Sequence, residues 1–255
     1  MHRREDILGV RVSVLSMDDV LKTIDEWIAH GDRNYICTAD VHALMECQDE
    51  PDVQRAYNGA AMVTPDGMPL VWLLQVKGHR LATRVCGPDL MPAVLAHSEA
   101  RGYRHFFYGS SDSTLAQLQQ QLKRRYPRAR IAGAYSPPFR PLTAVEEADI
   151  NRVINAAKPD IVWVGLGAPK QDRWMAAHRA ALDASALIGV GAAFDMLAGT
   201  VRRAPPILRQ AGFEWMFRIV QEPGRLWRRY FTSNSRFAMM LIGETMRLFK
   251  RQLRA

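Results

Sequence analysis

The chain is poor in the residues that announce several common protein classes. Its three cysteines, Cys37, Cys47 and Cys86, are odd in number and scattered, which suits neither a disulfide framework nor a zinc site and sets a reducing, cytoplasmic compartment as the default. No stretch reaches the roughly 18 uninterrupted apolar residues that a membrane-spanning helix requires. The opening Met1-His2-Arg3-Arg4-Glu5-Asp6 lacks the apolar centre of a signal peptide. There is no Asp-x-Asp metal clamp and no His, Cys, Asp or Glu cluster at ligand spacing, so no metal and no cofactor are expected. A Gly-x-Ser-x-Gly elbow is missing as well, against a hydrolase of that kind. Gly165-x-Gly167 follows a strand-like run, but Lys170 stands where a dinucleotide turn needs its third glycine, and no acidic residue lies about 20 positions on. A nucleotide-dependent oxidoreductase would need that fingerprint.

What is present points to a globular protein. At 255 residues and 48% apolar content, the chain can build one large α/β domain or a domain plus an appendage. The net charge of +8 is unevenly placed: from Val201 onward, 12 Lys or Arg face 3 Glu (Glu214, Glu222, Glu244), a balance of +9 that leaves the first 200 residues at −1. A basic segment of this kind seeks a polyanion, whether an acidic membrane, a diphosphate or nucleic acid.

Taken in order, Val10–Leu15 reads as a weak strand and Met17–His30 as a helix capped by Ser16, with Val20, Leu21, Ile24, Trp27 and Ile28 on one face. Tyr35-Ile36-Cys37 is a strand ending in Thr38-Ala39-Asp40, and a single helix is expected from Val41 to Tyr57. A buried helix is expected over Met68–Val76, a strand or extended connection over Thr83–Gly87, and a helix from Pro88 to about Ala100 with Pro in its first turn. Arg104–Tyr108 is a strand, Gly109-Ser110-Ser111 a tight turn, and Ser113–Tyr126 an amphipathic helix. A strand over Arg130–Ala134 and a helix over Thr143–Ala157, with Glu146 completing a capping box, come next. Asp160–Val164 is the most strand-like run; a helix then runs to about Leu182, and Ser185–Val190 is a last strand. Alternation at these lengths implies an α/β fold: a mostly parallel, Rossmann-like sheet covered by helices through right-handed crossovers.

The stretch Ala61-Met62-Val63-Thr64-Pro65-Asp66-Gly67 is a short buried strand stopping in a turn, with a helix from Met68. In open α/β sheets that edge binds ligands, so Asp66 is a candidate general base. On its own the more ordinary reading is a Pro-Asp-Gly turn former or a helix cap. Thr38, Asp40, Arg84, Gln171 and Asp195 also stand at strand ends, which in a parallel sheet share one edge and can line one cleft. Gly109 and Gly167 open turns whose backbone N–H groups can meet a phosphate, although the residues alone favour ordinary turn glycines.

Beyond Thr200 strands stop. Pro205–Arg254 reads as two or three helices interrupted at Pro223-Gly224, a helical basic appendage in which Phe237, Met240, Leu241, Met246, Leu248 and Phe249 interleave with Arg236, Arg247, Lys250 and Arg251. Such a helix can lie on anionic lipid or pack its apolar side on the domain.

Thr38-x-Asp40, Pro65-Asp66-Gly67, Gly165-Leu166-Gly167-x-Pro169-Lys170-Gln171, Gly189-Val190-Gly191-x-x-Phe194-Asp195, Gly199, Arg203-Ala204-Pro205, Gly212-Phe213-Glu214-Trp215 and Arg218 through Arg229-Tyr230 occur in that order. Together they resemble the WecG/TagA/CpsF glycosyltransferase family over nearly the whole chain. The resemblance implies an inverting, metal-independent transferase that moves a sugar from a UDP-sugar onto a sugar carried on polyprenyl diphosphate, at the cytoplasmic face of the membrane, for surface polysaccharide. It implies Asp66 as the general base, which overrides the turn-former reading, and Thr38 and Asp40 at the sugar pocket. Asp40 departs from the family's Thr-x-Asn, removing a donor and adding charge, so the donor sugar is not carried over. Arg84 and Gln171 match sugar contacts, Asp195 a nucleoside contact, and Arg218, Arg225 and Arg228 the arginines that reach the diphosphate when the appendage closes.

The chemistry agrees with these implied roles. Inverting transfer needs one base on the acceptor and positive charge on the departing diphosphate, and arginine forks supply that charge where no metal clamp exists. A free Asp is a weak base, so Asp66 is expected to be partly desolvated with a raised pKa. The chain therefore divides into an α/β catalytic domain at residues 1–200 and an appendage at 201–255 that associates with an anionic membrane surface and closes the site. Homo-oligomerisation stays open. The competing class, a basic nucleic-acid-binding α/β module using the tail for stacking and phosphate contact, leaves the polar strand ends unexplained, and no nucleic-acid partner is expected.

Overall fold

In the computed structural model, which describes residues 2–252, the first strand lies outside the expected set. β1 (Arg4–Ile7) pairs antiparallel with β2 (Val10–Ser13) in a separate two-stranded ribbon, so the Val10 strand does not join the main sheet. Leu8 and Gly9 both have positive φ, 53° and 79°, the geometry of a two-residue hairpin turn. Asp6 Oδ1 accepts from the Gly9 N–H at 2.9 Å. Helix α1 (Met17–His30) carries a complete capping box between Ser16 and Asp19 and buries Val20, Ile24 and Trp27.

After β3 (Asn34–Ala39), the helix expected from Val41 to Tyr57 is two: α2 (Val41–Asp49) and α3 (Pro51–Gly59). Glu50 between them is extended, at φ −127° and ψ 100°. The Pro51 ring disfavours a helical residue before it and is itself suited to a first helical position. Then come β4 (Met62–Pro65) and α4 (Met68–Val76), which buries Leu70, Val71 and Leu74 but leaves Trp72 and Val76 exposed, so it is one-sided and not wholly buried. Residues 83–86 form an extended connection without a strand. The chain continues through α5 (Gly87–Arg101), β5 (Arg104–Gly109), α6 (Asp112–Arg125), β6 (Arg130–Tyr135) and α7 (Ala144–Ala156), whose Thr143–Glu146 capping box forms as expected. It ends with β7 (Ile161–Gly165), α8 (Lys170–His178), β8 (Ala186–Gly189), α9 (Ala193–Ala198), α10 (Pro206–Gln210), α11 (Glu214–Gln221) and α12 (Pro223–Gln252).

The main sheet is six-stranded, entirely parallel, in the order β4-β3-β8-β7-β5-β6. Alternate strand residues face opposite sides. Cys37, Val162 and Val164 enter one apolar layer with Leu44, Tyr57 and Met175, while Ile36, Ile161 and Trp163 enter the other with Ile24, Leu90 and Phe194. Helices cover both faces in a Rossmann-like arrangement, and the C-terminus is helical as expected. Phe237 is buried in the first layer and Met240 and Leu241 pack against it, so these members of the apolar series sit on the protein. The side chains of Met246, Leu248 and Phe249 lie outside the described residues. Trp227, Phe231, Met239 and Ile242 are exposed instead.

Candidate active site

The carboxyl ends of the strands open into a cavity of about 760 Å³. Its floor begins at β4. The main-chain N–H groups of Asp66 and Gly67 both donate to Ala39 O, at 2.8 and 3.4 Å, so the end of β3 fixes the turn. Gly67, not Asp66, is the cap residue of α4, and no side chain caps that helix. Asp66 is therefore not spent on capping, and its carboxylate faces the cavity. Burial pushes its pKa up to about 6; Arg84 opposes that rise, Asp40 and Glu214 add to it, and Arg218 opposes it. The desolvation expected of a working carboxylate base is present, although 28% of the side chain stays accessible from the cavity.

Arg84, on the extended segment before α5, is the neighbour that matters most. Its Nε donates to Asp66 O at 2.6 Å and its Nη2 to Glu214 Oε2 at 2.7 Å, while Nη2 stands 3.6 Å from Asp66 Oδ1. Glu214 begins α11 and is buried, and its other oxygen lies 3.4 Å from Arg203 Nε. Arg203 is gripped from the far side by Asp89, whose Oδ1 and Oδ2 accept at 2.6 and 2.7 Å, and Arg209 reaches Asp89 Oδ1 at 3.3 Å. An alternating chain of carboxylates and guanidiniums thus runs from the cavity floor into the C-terminal helices.

At the end of β3, Thr38 Oγ1 donates to Gly189 O at 3.2 Å, which ties β3 to β8. Asp40 is the N-cap of α2, accepting from the Ala43 N–H at 2.8 Å. Asn and Asp cap helices almost equally well, so the departure at this position preserves the local structure. Both residues line the cavity.

Gln171 Oε1 accepts from the Gly191 N–H at 2.9 Å and so holds the turn after β8, leaving its amide N–H₂ as the part able to meet a ligand. Gly167 lines the cavity with φ +77°, and an added Cβ would meet nothing within 4 Å, so backbone conformation and not space demands glycine there. Gly109 differs. A Cβ on it would lie 2.6 Å from the backbone of Gly165, and it does not line the cavity, whereas Ser110 and Ser111 do. Both the close approach of β5 to β7 and a φ of +121° call for glycine at Gly109. Asp195, in the first turn of α9, lines the cavity, and its main-chain oxygen accepts from Gly199, Thr200 and Val201.

The remaining wall is C-terminal. Glu214, Trp215 and Arg218 of α11 and Tyr230 and Asn234 of α12 line the cavity, and the Trp215 and Tyr230 rings stand 5.8 Å apart. Of the three expected arginines, Arg218 is at the cavity; Arg228 is exposed over the Trp227 ring and outside the lining; the side chain of Arg225 lies outside the described residues. Sequence reasoning overlooked Glu214 and Arg203 as site residues. The available signal was charge: Glu214 is one of 3 acidic residues in a segment with 12 cations. His42 of α2 meets the C-terminal helices through Ser233 Oγ at 3.1 Å. Among the described residues, no three His, Cys, Asp or Glu side chains converge as a metal site, and no helix is long and apolar enough to cross a membrane.

The sequence model of one family, described as the glycosyl transferase WecG/TagA/CpsF family, matches residues 5–251. A Bacillus spizizenii protein named N-acetylglucosaminyldiphosphoundecaprenol N-acetyl-beta-D-mannosaminyltransferase is 29% identical over 221 residues, covering 84% of each chain. A Staphylococcus aureus protein of the same name is 27% identical over 225 residues, covering 88% of this chain and 87% of its own.

Proposed function

The chain belongs to the WecG/TagA/CpsF family of glycosyl transferases, and from that premise we propose its reaction: transfer of N-acetylmannosamine from a UDP-sugar to an N-acetylglucosamine carried on polyprenyl diphosphate, with inversion and without a metal. The sugar and acceptor are those in the names of the two relatives. A β-linked product formed from an α-linked nucleotide donor is an inversion, which a single displacement with one base accomplishes. The observation that carries the reading is Asp66, a carboxylate on the cavity floor whose pKa burial raises to about 6.

In this reaction Asp66 takes the proton of the acceptor hydroxyl as the new C1–O bond forms. The bond from C1 to the UDP phosphate oxygen breaks on the opposite face. Arg218, Arg225 and Arg228 neutralise the departing diphosphate. Since Arg228 lies over the Trp227 ring and outside the cavity lining, the reading requires residues 201–255 to act as an appendage closing over a catalytic domain of residues 1–200. Thr38, Asp40, Arg84 and Gln171 are assigned to the sugars, Gly167 with the Ser110–Ser111 turn to phosphate, and Asp195 to the nucleoside. The exposed Trp227, Phe231, Met239 and Ile242 beside cationic residues suit an appendage resting on anionic lipid at the inner face of the cell membrane, where a lipid-linked acceptor for envelope polysaccharide is met. Nucleic acid is a poor fit, because binding it through the basic tail leaves the polar strand ends Thr38, Asp40, Asp66, Gln171 and Asp195, gathered at one cavity, without a role.

UDP release by purified protein with UDP-N-acetylmannosamine and a synthetic N-acetylglucosamine lipid diphosphate tests the proposal. Release should require acceptor, and Asp66→Asn should lower it about 10²- to 10⁴-fold while leaving the melting temperature in place. The base must be ionised, so the wild-type rate should be full above pH 7 and fall tenfold per unit as pH drops below about 6. Near-normal turnover by Asp66→Asn would remove Asp66 from the reaction.

A further inference from the structure

We propose that Glu214 is a positioning residue for Asp66: by holding the Arg84 guanidinium, it keeps Arg84 from pairing fully with the Asp66 carboxylate and so preserves that carboxylate as a base. This inference rests on the assignment of Asp66 as the general base.

Arg84 is pinned at one point and undecided at another. Its Nε is fixed to Asp66 O at 2.6 Å, so the guanidinium can pivot there, and its Nη2 lies between two carboxylates, 2.7 Å from Glu214 Oε2 and 3.6 Å from Asp66 Oδ1. Glu214 has taken the hydrogen bond, and Asp66 is left with a longer electrostatic contact. Were Glu214 neutral, the same pivot would bring Nη2 to Asp66, and a close arginine pair lowers a carboxylate pKa by about 1–3 units. A carboxylate so paired is a poorer proton acceptor. Asp66 also loses accessible lone pairs when a fork engages it.

Glu214 is suited to this competition because its other partner is already engaged. Arg203 stands 3.4 Å from Glu214 Oε1, while both oxygens of Asp89 hold it at 2.6 and 2.7 Å. Glu214, only 8% exposed, therefore keeps most of its charge for Arg84. The charged and titratable groups facing Asp66 are Asp40 from α2, Arg84 and Cys86 from the extended segment, and Glu214 and Arg218 from α11. Among these, Glu214 alone both repels a negative charge on Asp66 and diverts a cation from it. It resides on the C-terminal helices, so the base reaches working strength only while α11 is docked beside Arg84.

pH–rate profiles of full-length wild type, Glu214→Gln, Arg203→Gln and Asp66→Asn, read as UDP release at saturating UDP-N-acetylmannosamine and lipid-diphosphate acceptor, test the inference. Glu214→Gln should move the acid limb down by about 1 pH unit and lower the plateau kcat about threefold to tenfold. Arg203→Gln should move the limb the other way, upward, because Glu214 then keeps its whole charge. An acid limb that stays in place in Glu214→Gln, whatever happens to the plateau, overturns the proposal. If Glu214→Gln fails to fold by thermal melting, the Arg203→Gln limb decides, and a limb that stays or moves down overturns it. Asp66→Asn separates the two levels. Loss of turnover there with an unmoved Glu214→Gln limb sinks the Glu214 inference alone, whereas retained turnover with the wild-type limb sinks the base assignment beneath it.

Discussion

The cavity has two walls made by different means. On the sheet side, the ends of β3, β4, β7 and β8 are fixed by parallel backbone ladders, and their strands bury Ile36, Val63, Trp163 and Ile188 with 0% exposure. On the C-terminal side, the described residues of α11 and α12 bury only Glu214, Leu226, Ser233 and Phe237. That wall is tied to the domain by Arg84–Glu214 at 2.7 Å, His42–Ser233 at 3.1 Å and Arg236–Asp49 at 2.6 Å. Buried area scarcely responds to salt or proton concentration, whereas ion pairs respond to both. The sheet wall is therefore held in position independently of salt and pH, whereas the attachment of the C-terminal wall responds to both.

The contrast can be tested most severely by one chemistry applied to both walls. Phe194 packs edge-on against Phe107 at 5.9 Å in the second apolar layer, and Phe194→Ala should lower global stability by about 3–5 kcal/mol. Phe237→Ala removes a ring of the same size but should release α12 without melting the sheet. The main thermal transition should stay in place while proteolysis within residues 223–243 accelerates and UDP release falls. If both variants lower the same single transition equally, the walls are one cooperative unit and the distinction fails.

A smaller effect is expected where the sheet wall breaks its own pattern. Asp172 of α8 is fully buried and neither oxygen accepts a hydrogen bond of good geometry; burial raises its pKa to about 7, against the lowering influence of the neighbouring Cys37 thiol and Tyr57 hydroxyl. Because the folded value lies above the ordinary 3.8, the stability it permits is complete below about pH 4 and is lost as pH rises through 7. Asp172→Asn should therefore gain about 1–3 kcal/mol at pH 8 and little at pH 4, read as paired thermal melts. An equal gain at both pH values would show that its charge is not the source of the loss. Arg236→Ala should matter least. The Arg236–Asp49 pair is about half exposed, and such pairs contribute about 0–1 kcal/mol, so a larger loss would show that α12 depends on this contact more than on Phe237.

The sheet wall was the legible one. Apolar runs bounded by turn residues mark β3, β4, β5, β7 and β8, and a parallel sheet then brings Thr38, Asp40, Asp66, Gln171 and Asp195 to one edge without further information. Local errors came from local signals given too little weight: Pro51, which splits the helix after β3, and the Leu8-Gly9 turn, which pairs β2 with a strand no periodicity marked. Glu214 was out of reach for a different reason. Its partner Arg84 is 130 residues away in the chain, and no periodicity encodes which of three acidic residues will meet which arginine. Gly109 is a turn glycine whose need for glycine is explained by the close approach of β5 to β7, a contact that no local pattern displays.

The position of β8 has a consequence in time. It lies between β3 and β7 yet is the last strand of the sheet to be synthesised. Until Ala186–Gly189 leaves the ribosome, the chain holds two separate parallel halves, β3 with β4 and β7-β5-β6, each with an open edge waiting for the same insert. Asp66 and Thr38 belong to one half and Gly167 and Gln171 to the other. Nascent chains stopped before residue 186 thus carry every strand-end residue of the cavity floor except Asp195, but on two halves that nothing yet aligns, with the unpaired edges most exposed to aggregation at that point of synthesis.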